Sequence, residues 1–470
     1  MKPQDPLLGA WEETLARKGD SPAIFSTRGN AVRSFREIEQ QMRVFEGKID
    51  KFPAGSVVAV QIGNDDAWPA IFLACLRCRV VVLPLDESVG QQQRDAAFKT
   101  CGVVAAAVSG GRDLRILPAD TVRAGLAQAA TPQWSDNPPA LLKLTSGTTA
   151  MPRAIRFRSE QLLADCEQIC DTMAIEDVDL NFGAIPLSHS YGFSNLLTPL
   201  IARGVPLVLS RDRTPRALIV DLARTGATVF PGTPVFYQAL VEIDDVPALP
   251  ELRLCISAGA PLPIAAARKF REKFNLPIHS FYGASECGGI CYDREVANES
   301  EGFVGQPMKN VALELVESQA TSTQVRVRSA AVGDAYFPEL EEEKLGHGCF
   351  VPDDLLEKTP AGFRLVGRVS DLINVAGRKV NPAEVEACLL RFGGVCEAVV
   401  FGRKSARRTE EVAACVVAEP NVHEAVLLQF CRETLSSWQA PKRIFFVARI
   451  PVTERGKTSR RELAQRFADR

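Results

Sequence analysis

The sequence predicts an α/β protein whose large N-terminal domain is built from doubly wound sheets. With 470 residues, the chain is too long for one simple core. Residues 56–62 form an apolar, β-branched run, residues 67–78 have a helical pattern, and residues 80–85 form a second apolar run. A strand, a helix and a strand joined by short links make a βαβ unit, which predicts a parallel sheet.

The later parts of the chain extend this pattern and then depart from it. Further strands are predicted at residues 102–108, 141–145, 182–185, 205–209, 227–230 and 252–257. Residues 302–368 are richer in short strands, which indicates a small β-rich subdomain that completes an N-terminal domain of residues 1–369. Within residues 370–470, helical patterns at 382–391 and 422–436 flank strand patterns at 397–403 and 412–418, which predicts a small C-terminal α+β domain.

Composition and charge argue against several classes of function. A net charge of −2 leaves no basic field that would attract nucleic acid. The N-terminus lacks a secretory pattern and the longest apolar runs are too short to span a bilayer, so we expect a cytoplasmic protein without a membrane span. The thirteen cysteines include a single C-x-x-C motif, which favours buried thiols over zinc ligands.

The most informative segment is a loop of hydroxyl residues and glycine. The predicted strand at 141–145 leads directly into the loop, whose residues are Thr145, Ser146, Gly147, Thr148 and Thr149. Their hydroxyl and backbone N–H groups can donate to phosphate oxygens, and Arg153 adds a positive charge. The segment is not a Walker A loop, because no G-x-x-x-x-G-K-S/T string is present. By itself, this composition is compatible with a phosphate site or with an ordinary turn.

The loop resembles the phosphate loop of the adenylate-forming superfamily, which includes acyl-CoA synthetases, adenylation domains and firefly-type luciferases. The usual pattern is Ser/Thr-Ser-Gly-Ser/Thr-Thr-Gly-x-Pro-Lys-Gly, and residues 145–149 and Pro152 match it. Ala150, Arg153 and Ala154 stand where glycine, lysine and glycine are usual. Arg153 keeps the positive charge but changes its geometry.

Two more segments resemble the family's motifs around the nucleotide. Residues 281–286 read Phe-Tyr-Gly-Ala-Ser-Glu and resemble Tyr-Gly-x-Thr-Glu, which implies that Glu286 holds Mg²⁺ and that Ser285 contacts the α-phosphate. Residues 257–262 resemble the turn that borders the adenine and the acyl group. The resemblance assigns further nucleotide contacts to Tyr282, Gly283, Ala258, Gly259 and Ala260.

The C-terminal motifs appear in the family's order. Asp354 and Arg368 match the residues that contact the ribose. In the family the C-terminal domain rotates between two half-reactions, which implies a mobile domain here with its hinge at Ser370. Gly377 matches the glycine that lines the thiol tunnel, and Lys457 matches the catalytic lysine of the Gly-Lys motif.

A further segment implies the position of the acyl pocket. Residues 186–193 resemble the Pro-Leu-x-His-x-x-Gly segment of acyl- and aryl-CoA synthetases, which places His189 between the acyl pocket and the thiol tunnel. We assign the pocket to His189, Phe193, Thr233 and Phe281, together with Ala258 and Gly283. These residues are mostly apolar or small and include no aspartate for an ammonium group, which favours an aromatic or aliphatic acid over an α-amino acid.

The resemblance therefore implies an AMP-forming acid–thiol ligase. The expected partners are ATP, Mg²⁺, a small carboxylic acid and a pantetheine thiol, which is that of coenzyme A. One alternative acceptor is the pantetheine of an acyl carrier protein. An alternative of another class is a degenerate nucleotide-binding regulatory protein, which the departures from the family pattern at Ala150, Arg153, Pro352 and Asp353 motivate. No residue specifically indicates a luciferase-like oxygenase.

Overall fold

The computed structural model describes residues 5–110, 113–118, 132, 134, 137–145, 152–296, 300–316, 323–375, 378–404, 410–451 and 460–468. The contacts divide the chain into two compact units. The first unit comprises Met1–Glu314, Arg326–Pro352 and Thr359–Arg364, and the second comprises Leu315–Val325, Asp353–Lys358 and Leu365–Arg470. The last change of unit lies near the expected junction of residues 369 and 370, which stays a prediction.

The helices of the first unit surround its sheets. They are Pro6–Lys18 (α1), Phe35–Ile49 (α2), Trp68–Arg77 (α3), Gln91–Cys101 (α4), Ser159–Met173 (α5), Ser190–Gly192 (α6), Thr198–Ala202 (α7), Pro215–Thr225 (α8), Pro234–Val241 (α9) and Ile264–Phe274 (α10). A π-helical turn, Phe193–Leu197, joins α6 to α7. Helix α2 begins at a capping box, in which Ser34 and Glu37 satisfy each other's backbone N–H groups.

The strands up to residue 368 are mostly short. They are Pro22–Ser26 (β1), Ala31–Ser34 (β2), Val57–Gln61 (β3), Val81–Pro84 (β4), Val103–Gly110 (β5), Asp113–Pro118 (β6), Leu141–Leu144 (β7), Ala154–Phe157 (β8), Asn181–Gly183 (β9), Leu207–Leu209 (β10), Val229–Gly232 (β11), Leu254–Ser257 (β12), Ile278–Ala284 (β13), Gly288–Tyr292 (β14), Phe303–Pro307 (β15), Ala312–Leu315 (β16), Val325–Arg328 (β17), Ala335–Phe337 (β18), Leu345–Gly346 (β19), Cys349–Phe350 (β20), Asp354–Thr359 (β21) and Gly362–Arg368 (β22).

Two large sheets organise the first unit. One has the order β18-β8-β7-β4-β3-β5-β6, with β7, β4, β3 and β5 parallel and the pairs at both ends antiparallel. The other runs from β2 through β1, β10, β9, β11, β12 and β13 to the antiparallel strands β14 and β15. The pairing of Val57 with Val81 confirms the predicted βαβ unit. The predicted α/β class with doubly wound sheets is likewise confirmed.

Apolar layers between sheets and helices form the core. Around the second sheet, Phe182, Phe230 and Tyr237 are buried in one cluster, with edge-to-face contacts between neighbouring rings. A separate cluster under the first sheet includes Phe98 and Leu142. Burial on this scale is the main stabilising contribution, at roughly 25 cal/mol for each Å² of apolar surface removed from water.

The second unit contains a compact α+β body. Its elements after residue 370 are Ile373–Val375 (β23), Arg378–Val380 (β24), Pro382–Leu390 (α11), Val395–Lys404 (β25), Glu410–Ala418 (β26), Glu424–Thr434 (α12), Arg443–Phe446 (β27) and Arg460–Arg466 (α13). Strands β23 and β24 form a hairpin, and β25, β26 and β27 form a three-stranded sheet. Helices α11 and α12 and strands β25 and β26 match the two helices and two strands predicted for this part of the chain, whereas β23, β24, β27 and α13 were not predicted. Across the described ranges, no helix is both long and apolar enough to cross a membrane.

Candidate active site

The predicted phosphate loop connects two antiparallel strands of the first sheet. Leu144 at the end of β7 pairs with Ala154 at the start of β8. Thr145 continues the hairpin, because its backbone N–H and its hydroxyl both donate to the carbonyl of Arg153, over 2.8 and 3.2 Å. The structure therefore fixes both sides of the loop. The predicted residues Ser146, Gly147, Thr148 and Thr149 lie outside the described residues.

The side chain of Arg153 packs against an aromatic ring that sequence analysis did not identify. Strand β18 pairs with β8, with Tyr336 opposite Ile155. This pairing places the guanidinium carbon of Arg153 3.4 Å from the centre of the Tyr336 ring. Its Nη1 atom also contacts Glu341 Oε1 at 2.9 Å. Arg153 is therefore held by a stacking contact and an ion pair beside the phosphate loop.

Glu286 lies in the turn between β13 and β14, next to the same tyrosine. The Tyr336 hydroxyl donates to Glu286 Oε1 over 3.1 Å. The Glu286 carbonyl accepts a 2.8 Å hydrogen bond from the backbone N–H of Gly333. Ser285 is half-buried in the same turn. The structure thus brings together three predicted residues, Thr145, Arg153 and Glu286, and adds Tyr336.

A buried acid and a buried lysine lie behind this turn. Asp165 of α5 accepts a hydrogen bond from the Gly289 backbone N–H over 3.0 Å. Lys143 of β7 is 5% exposed and lies over the rings of Phe157 and Phe193. Burial lowers the pKa of Lys143 and raises the pKa of Asp165, and the attraction between the two opposes both shifts. Sequence analysis missed both residues, since neither belongs to a recognisable motif.

The carboxyl ends of three parallel strands bring the other predicted nucleotide residues together. Strands β11, β12 and β13 are adjacent, and the Ala258 N–H donates to the Gly232 carbonyl over 3.2 Å. Ligands bind at this edge of open α/β sheets. Gly259 has a φ of +88° and, like Ala260, is exposed. The predicted residues at this edge are Thr233, Ala258, Gly259, Ala260, Phe281, Tyr282 and Gly283.

The glycine at position 283 is required by packing within the sheet. A Cβ atom there would lie 2.6 Å from the carbonyl oxygen of Gly288 on the neighbouring strand. Phe281 and Tyr282 are each 8% exposed, so only small parts of these side chains face solvent. The neighbouring ring of Tyr191 lies 5.9 Å from that of Phe281, and its hydroxyl donates to the Ile256 carbonyl over 3.2 Å. Tyr191 is therefore an additional candidate for the acyl pocket.

His189 and Phe193 occupy different environments. His189 is more than half exposed, and its Nε2 lies 3.3 Å from Asp86 Oδ2. The hydrogen bond from His189 holds the pKa of Asp86 well below its usual range. Phe193 is buried and makes an edge-to-face contact with Phe72 at 5.1 Å. The contact with Phe72 places the Phe193 ring against helix α3.

In the second unit, the predicted ribose residues contact each other. Arg368 Nε donates to Asp354 Oδ1 over 2.7 Å, and Asp354 is the more buried partner. The next residue, Val369, donates its backbone N–H to the Asp353 carbonyl over 2.7 Å. Ser370 lies in the 3₁₀ turn Val369–Asp371. Gly377 and Lys457 lie outside the described residues.

The donor groups of the first unit fit an anionic nucleotide with a divalent cation. Nε and Nη2 of Arg153 are buried atoms without a hydrogen-bond acceptor among the described residues. An acidic oxygen, such as those of Glu286, is the type of ligand that Mg²⁺ prefers, usually together with substrate phosphates. In the described residues, no cluster of three or more His, Cys, Asp or Glu could hold a metal by itself.

Comparison with known proteins agrees with the fold and with the predicted family. The family model described as AMP-binding enzyme matches residues 11–333, and the model described as AMP-binding enzyme C-terminal domain matches residues 384–457. A feruloyl-CoA synthase from an Amycolatopsis species is 26% identical over 494 residues, covering 98% of this chain and 99% of that protein. An oxalate–CoA ligase from Arabidopsis thaliana is 25% identical over 461 residues, covering 88% and 89%.

The fold has a close counterpart among solved structures. ATP-bound MatB from Rhodopseudomonas palustris superimposes with a TM-score of 0.82 at 23% identity, covering 98% of this chain and 99% of that chain. The two family models and the CoA ligases among the relatives identify an adenylate-forming enzyme. The chain belongs to the AMP-binding enzyme family. The predicted superfamily and enzyme class are thereby confirmed, whereas the roles of individual site residues stay predictions.

Proposed function

We propose that this enzyme activates a carboxylic acid with ATP to an acyl-adenylate and transfers the acyl group to the thiol of coenzyme A. The observation that carries the proposal is the arrangement of Arg153, Tyr336 and Glu286 beside the base of the predicted phosphate loop. It places a cation for phosphate oxygens next to a carboxylate suited to a divalent metal. The CoA ligases among the relatives support the same reaction class.

The first half-reaction joins two anions, so charge neutralisation dominates its chemistry. A carboxylate oxygen of the acid attacks the α-phosphorus of ATP, the bond to the bridging oxygen breaks, and pyrophosphate leaves. Residues 145–149 and Arg153 would hold the phosphates, Ser285 would contact the α-phosphate, and Lys457 would neutralise the developing charge. Glu286 would hold Mg²⁺, which supplies additional positive charge when bound.

The remaining nucleotide contacts would orient the adenosine. Tyr282 would lie along the adenine, which the backbone of residues 258–260 and Gly283 would border. Asp354 and Arg368 would bind the ribose hydroxyls, and their 2.7 Å contact supports a shared role. An aspartate that is already hydrogen-bonded to an arginine is held in one orientation, which lowers the cost of ordering it on binding.

The second half-reaction needs a thiol close to the acyl-adenylate. The sulfur of coenzyme A would attack the acyl carbon, the bond between that carbon and the phosphate oxygen breaks, and AMP leaves. Rotation of the C-terminal domain at Ser370 would withdraw Lys457 and bring in Gly377. Transfer to an acyl carrier protein would be chemically identical, because the attacking group is the same pantetheine thiol. We assign the reaction to the cytoplasm.

The acid would be aromatic or aliphatic. His189, Thr233, Phe281 and Tyr191 would line its pocket, and Phe193 would contribute from the core side. The contact between Tyr191 and Phe281 supports a closed, apolar end to this pocket. The relatives include a feruloyl-CoA synthase and an oxalate–CoA ligase, whose acids differ greatly in size. The residues that line the pocket would therefore determine which acid this enzyme accepts.

A screen that traps acyl-adenylates as hydroxamates tests the proposal. The protein is incubated with ATP, Mg²⁺ and a panel of acids, and the wild type is compared with Lys457→Ala. We expect the substitution to remove most adenylation but to spare thioester formation from supplied acyl-AMP, since Lys457 acts only in the first half-reaction. AMP release with coenzyme A or with a carrier protein identifies the acceptor. Absence of acid-dependent adenylation across the panel would favour a regulatory nucleotide-binding protein instead.

A further inference from the structure

Tyr336 contacts two charged groups that adenylation requires. Its hydroxyl donates to Glu286 Oε1, and the face of its ring lies against the guanidinium of Arg153. We propose that Tyr336 is a positioning residue that holds the cation-binding carboxylate and the phosphate-binding arginine as one unit. This inference rests on the proposed function, because it assigns Glu286 to Mg²⁺ and Arg153 to the phosphates.

The hydrogen bond to Glu286 is suited to fixing a carboxylate. Tyr336 is 3% exposed, so little water competes with its hydroxyl for the Glu286 carboxylate. The backbone carbonyl of Glu286 is bound by Gly333, which lies on the same segment as Tyr336. Both the main chain and the side chain of Glu286 are thus tied to one segment.

The stacking contact accounts for arginine at position 153. A planar guanidinium lies flat on an aromatic face, whereas a lysine ammonium has no plane to stack. In this orientation Nη1 contacts Glu341, while Nε and Nη2 are buried and have no acceptor among the residues that the structure describes. Buried N–H groups without acceptors are costly. Phosphate oxygens of a bound nucleotide would match these N–H groups in charge and geometry.

The sheet enforces this arrangement over a long sequence separation. Strand β18 hydrogen-bonds to β8, with Phe337 opposite Ala154 and Tyr336 opposite Ile155. Arg153 immediately precedes β8, so its side chain emerges next to Tyr336. Any shift of β18 along β8 would move both contacts of Tyr336 together. Loss of the tyrosine should therefore affect both the metal contact and the phosphate contact. The hydrogen bond of the hydroxyl and the contact of the ring can be removed separately by substitution.

Four variants separate these contributions. Tyr336→Phe removes only the hydrogen bond to Glu286, and Tyr336→Leu also removes the stacking face. Arg153→Lys keeps the charge without the plane. Tyr237→Phe is the matched control, because the Tyr237 hydroxyl is also buried and its partners among the described residues are the backbone carbonyls of Phe230 and Ile256. Calorimetric titration with a non-hydrolysable ATP analogue at several Mg²⁺ concentrations measures binding, and hydroxamate formation measures adenylation.

We expect Tyr336→Phe to raise the Mg²⁺ concentration for half-maximal analogue binding about tenfold, the effect of one hydrogen bond to a charged group. Tyr237→Phe should leave it unchanged. Arg153→Lys should weaken analogue binding in the wild-type background but have little effect in Tyr336→Leu, because the stacking partner is already lost. Thioester formation from supplied acyl-AMP should be unchanged in Tyr336→Phe.

Two results would overturn the inference. One is that analogue binding by Tyr336→Phe depends on Mg²⁺ concentration in the same way as binding by the wild type. The other is an equal loss of adenylation and of thioester formation, which indicates a general folding defect. Failure of the proposed function is a separate result: the wild type would then form no hydroxamate with any acid, while the shift in Mg²⁺-dependent analogue binding could still be measured.

Discussion

The guanidinium of Arg460 contacts both carboxylate oxygens of Glu386, with Nη2 at 2.7 Å from Oε1 and 3.0 Å from Oε2. Its Nη1 also contacts Asp371 Oδ2 at 3.2 Å. Arg460 follows the predicted catalytic Lys457 by three residues, and Asp371 directly follows the predicted hinge at Ser370. Within the second unit, this cluster therefore ties the chain just after the lysine to the chain just after the hinge.

Replacing Arg460 with glutamine should destabilise the protein by about 2 kcal/mol, because Glu386 would be left without its partner in a mostly buried site. Urea unfolding followed by circular dichroism measures the loss. Arg460→Lys is the control, since it retains the charge and should lose less. An unchanged midpoint for Arg460→Gln would show that the ion pair contributes no net stability.

The same variant should have a characteristic pH dependence. Burial raises the pKa of Glu386, and Arg460 opposes that rise. A carboxyl group whose folded pKa exceeds its unfolded pKa contributes stability at low pH and loses it as pH rises through the folded pKa. Removal of Arg460 raises the folded pKa further, so the deficit of Arg460→Gln should grow between about pH 4 and about pH 8. Equal deficits at both pH values would contradict this assignment.

Gly288→Ala should disrupt the turn that carries Glu286. A Cβ atom at Gly288 would lie 1.9 Å from Asp165 Oδ1, and its φ of +67° disfavours any side chain. Gly226 has a similar φ of +66°, but a Cβ atom there would lie 3.6 Å from its nearest neighbour, an ordinary contact distance. Gly226→Ala should therefore cost about 1 kcal/mol from strain alone, and Gly288→Ala should cost about 2 kcal/mol more from the clash.

Thermal unfolding of the two alanine variants measures this difference. Asp165→Ala should partly rescue the stability of Gly288→Ala, because it removes the atoms that the new methyl group meets. The adenylation activity of Gly288→Ala should fall more than that of Gly226→Ala, since only Gly288 adjoins the turn of Glu286. Equal destabilisation by the two substitutions would argue against a close approach of Asp165.

Asp86→Asn should weaken the contact with His189 and change the acid response of stability. The pKa of Asp86 is lowered in the folded state, mainly by the hydrogen bond from His189 and also by hydrogen bonds from Ser88. A carboxylate with a lowered folded pKa contributes stability above its unfolded pKa and loses it as pH falls. The stability advantage of the wild type over Asp86→Asn should therefore shrink as pH falls below about 4.

Urea midpoints between about pH 6 and about pH 3 test this dependence. Ser88→Ala is the control, because it removes one hydrogen bond to Asp86 and leaves His189 in place. If His189 borders the acid, Asp86→Asn should also raise the KM for the acid and leave the KM for ATP unchanged. A stability difference independent of pH would show that the two side chains do not interact in solution.

Phe193→Ala should lower stability more than it changes substrate choice. The ring is 1% exposed and packs against Phe72, so its removal creates a cavity that costs about 3 kcal/mol. Tyr191→Phe keeps its ring next to Phe281 and serves as the comparison, because only a hydrogen bond to the Ile256 carbonyl is lost. A stable Phe193→Ala enzyme with an altered range of acids would instead place Phe193 in the acyl pocket.

The sequence by itself determined the fold class and the position of the nucleotide motifs. Short apolar runs and their spacing predicted β3, α3 and β4, because parallel strands buried on both faces read as continuous apolar segments. The edge strand β2 and its neighbour β1 were not predicted. Strand β1 starts at a proline, which is unusual within a strand pattern. It pairs with β10, where Ile24 lies opposite Leu207, and no local pattern indicates a contact between such distant positions.

Only the tertiary structure decided how charges are arranged around these motifs. Glu341 contacts Arg153 from 188 positions away, and Gly289 meets Asp165 from 124 positions away. Such contacts depend on strand pairing and helix packing, which no local pattern of residues encodes. The sequence therefore located Thr145–Thr149 and Glu286, whereas the pairing of β8 with β18 revealed Tyr336 between Arg153 and Glu286.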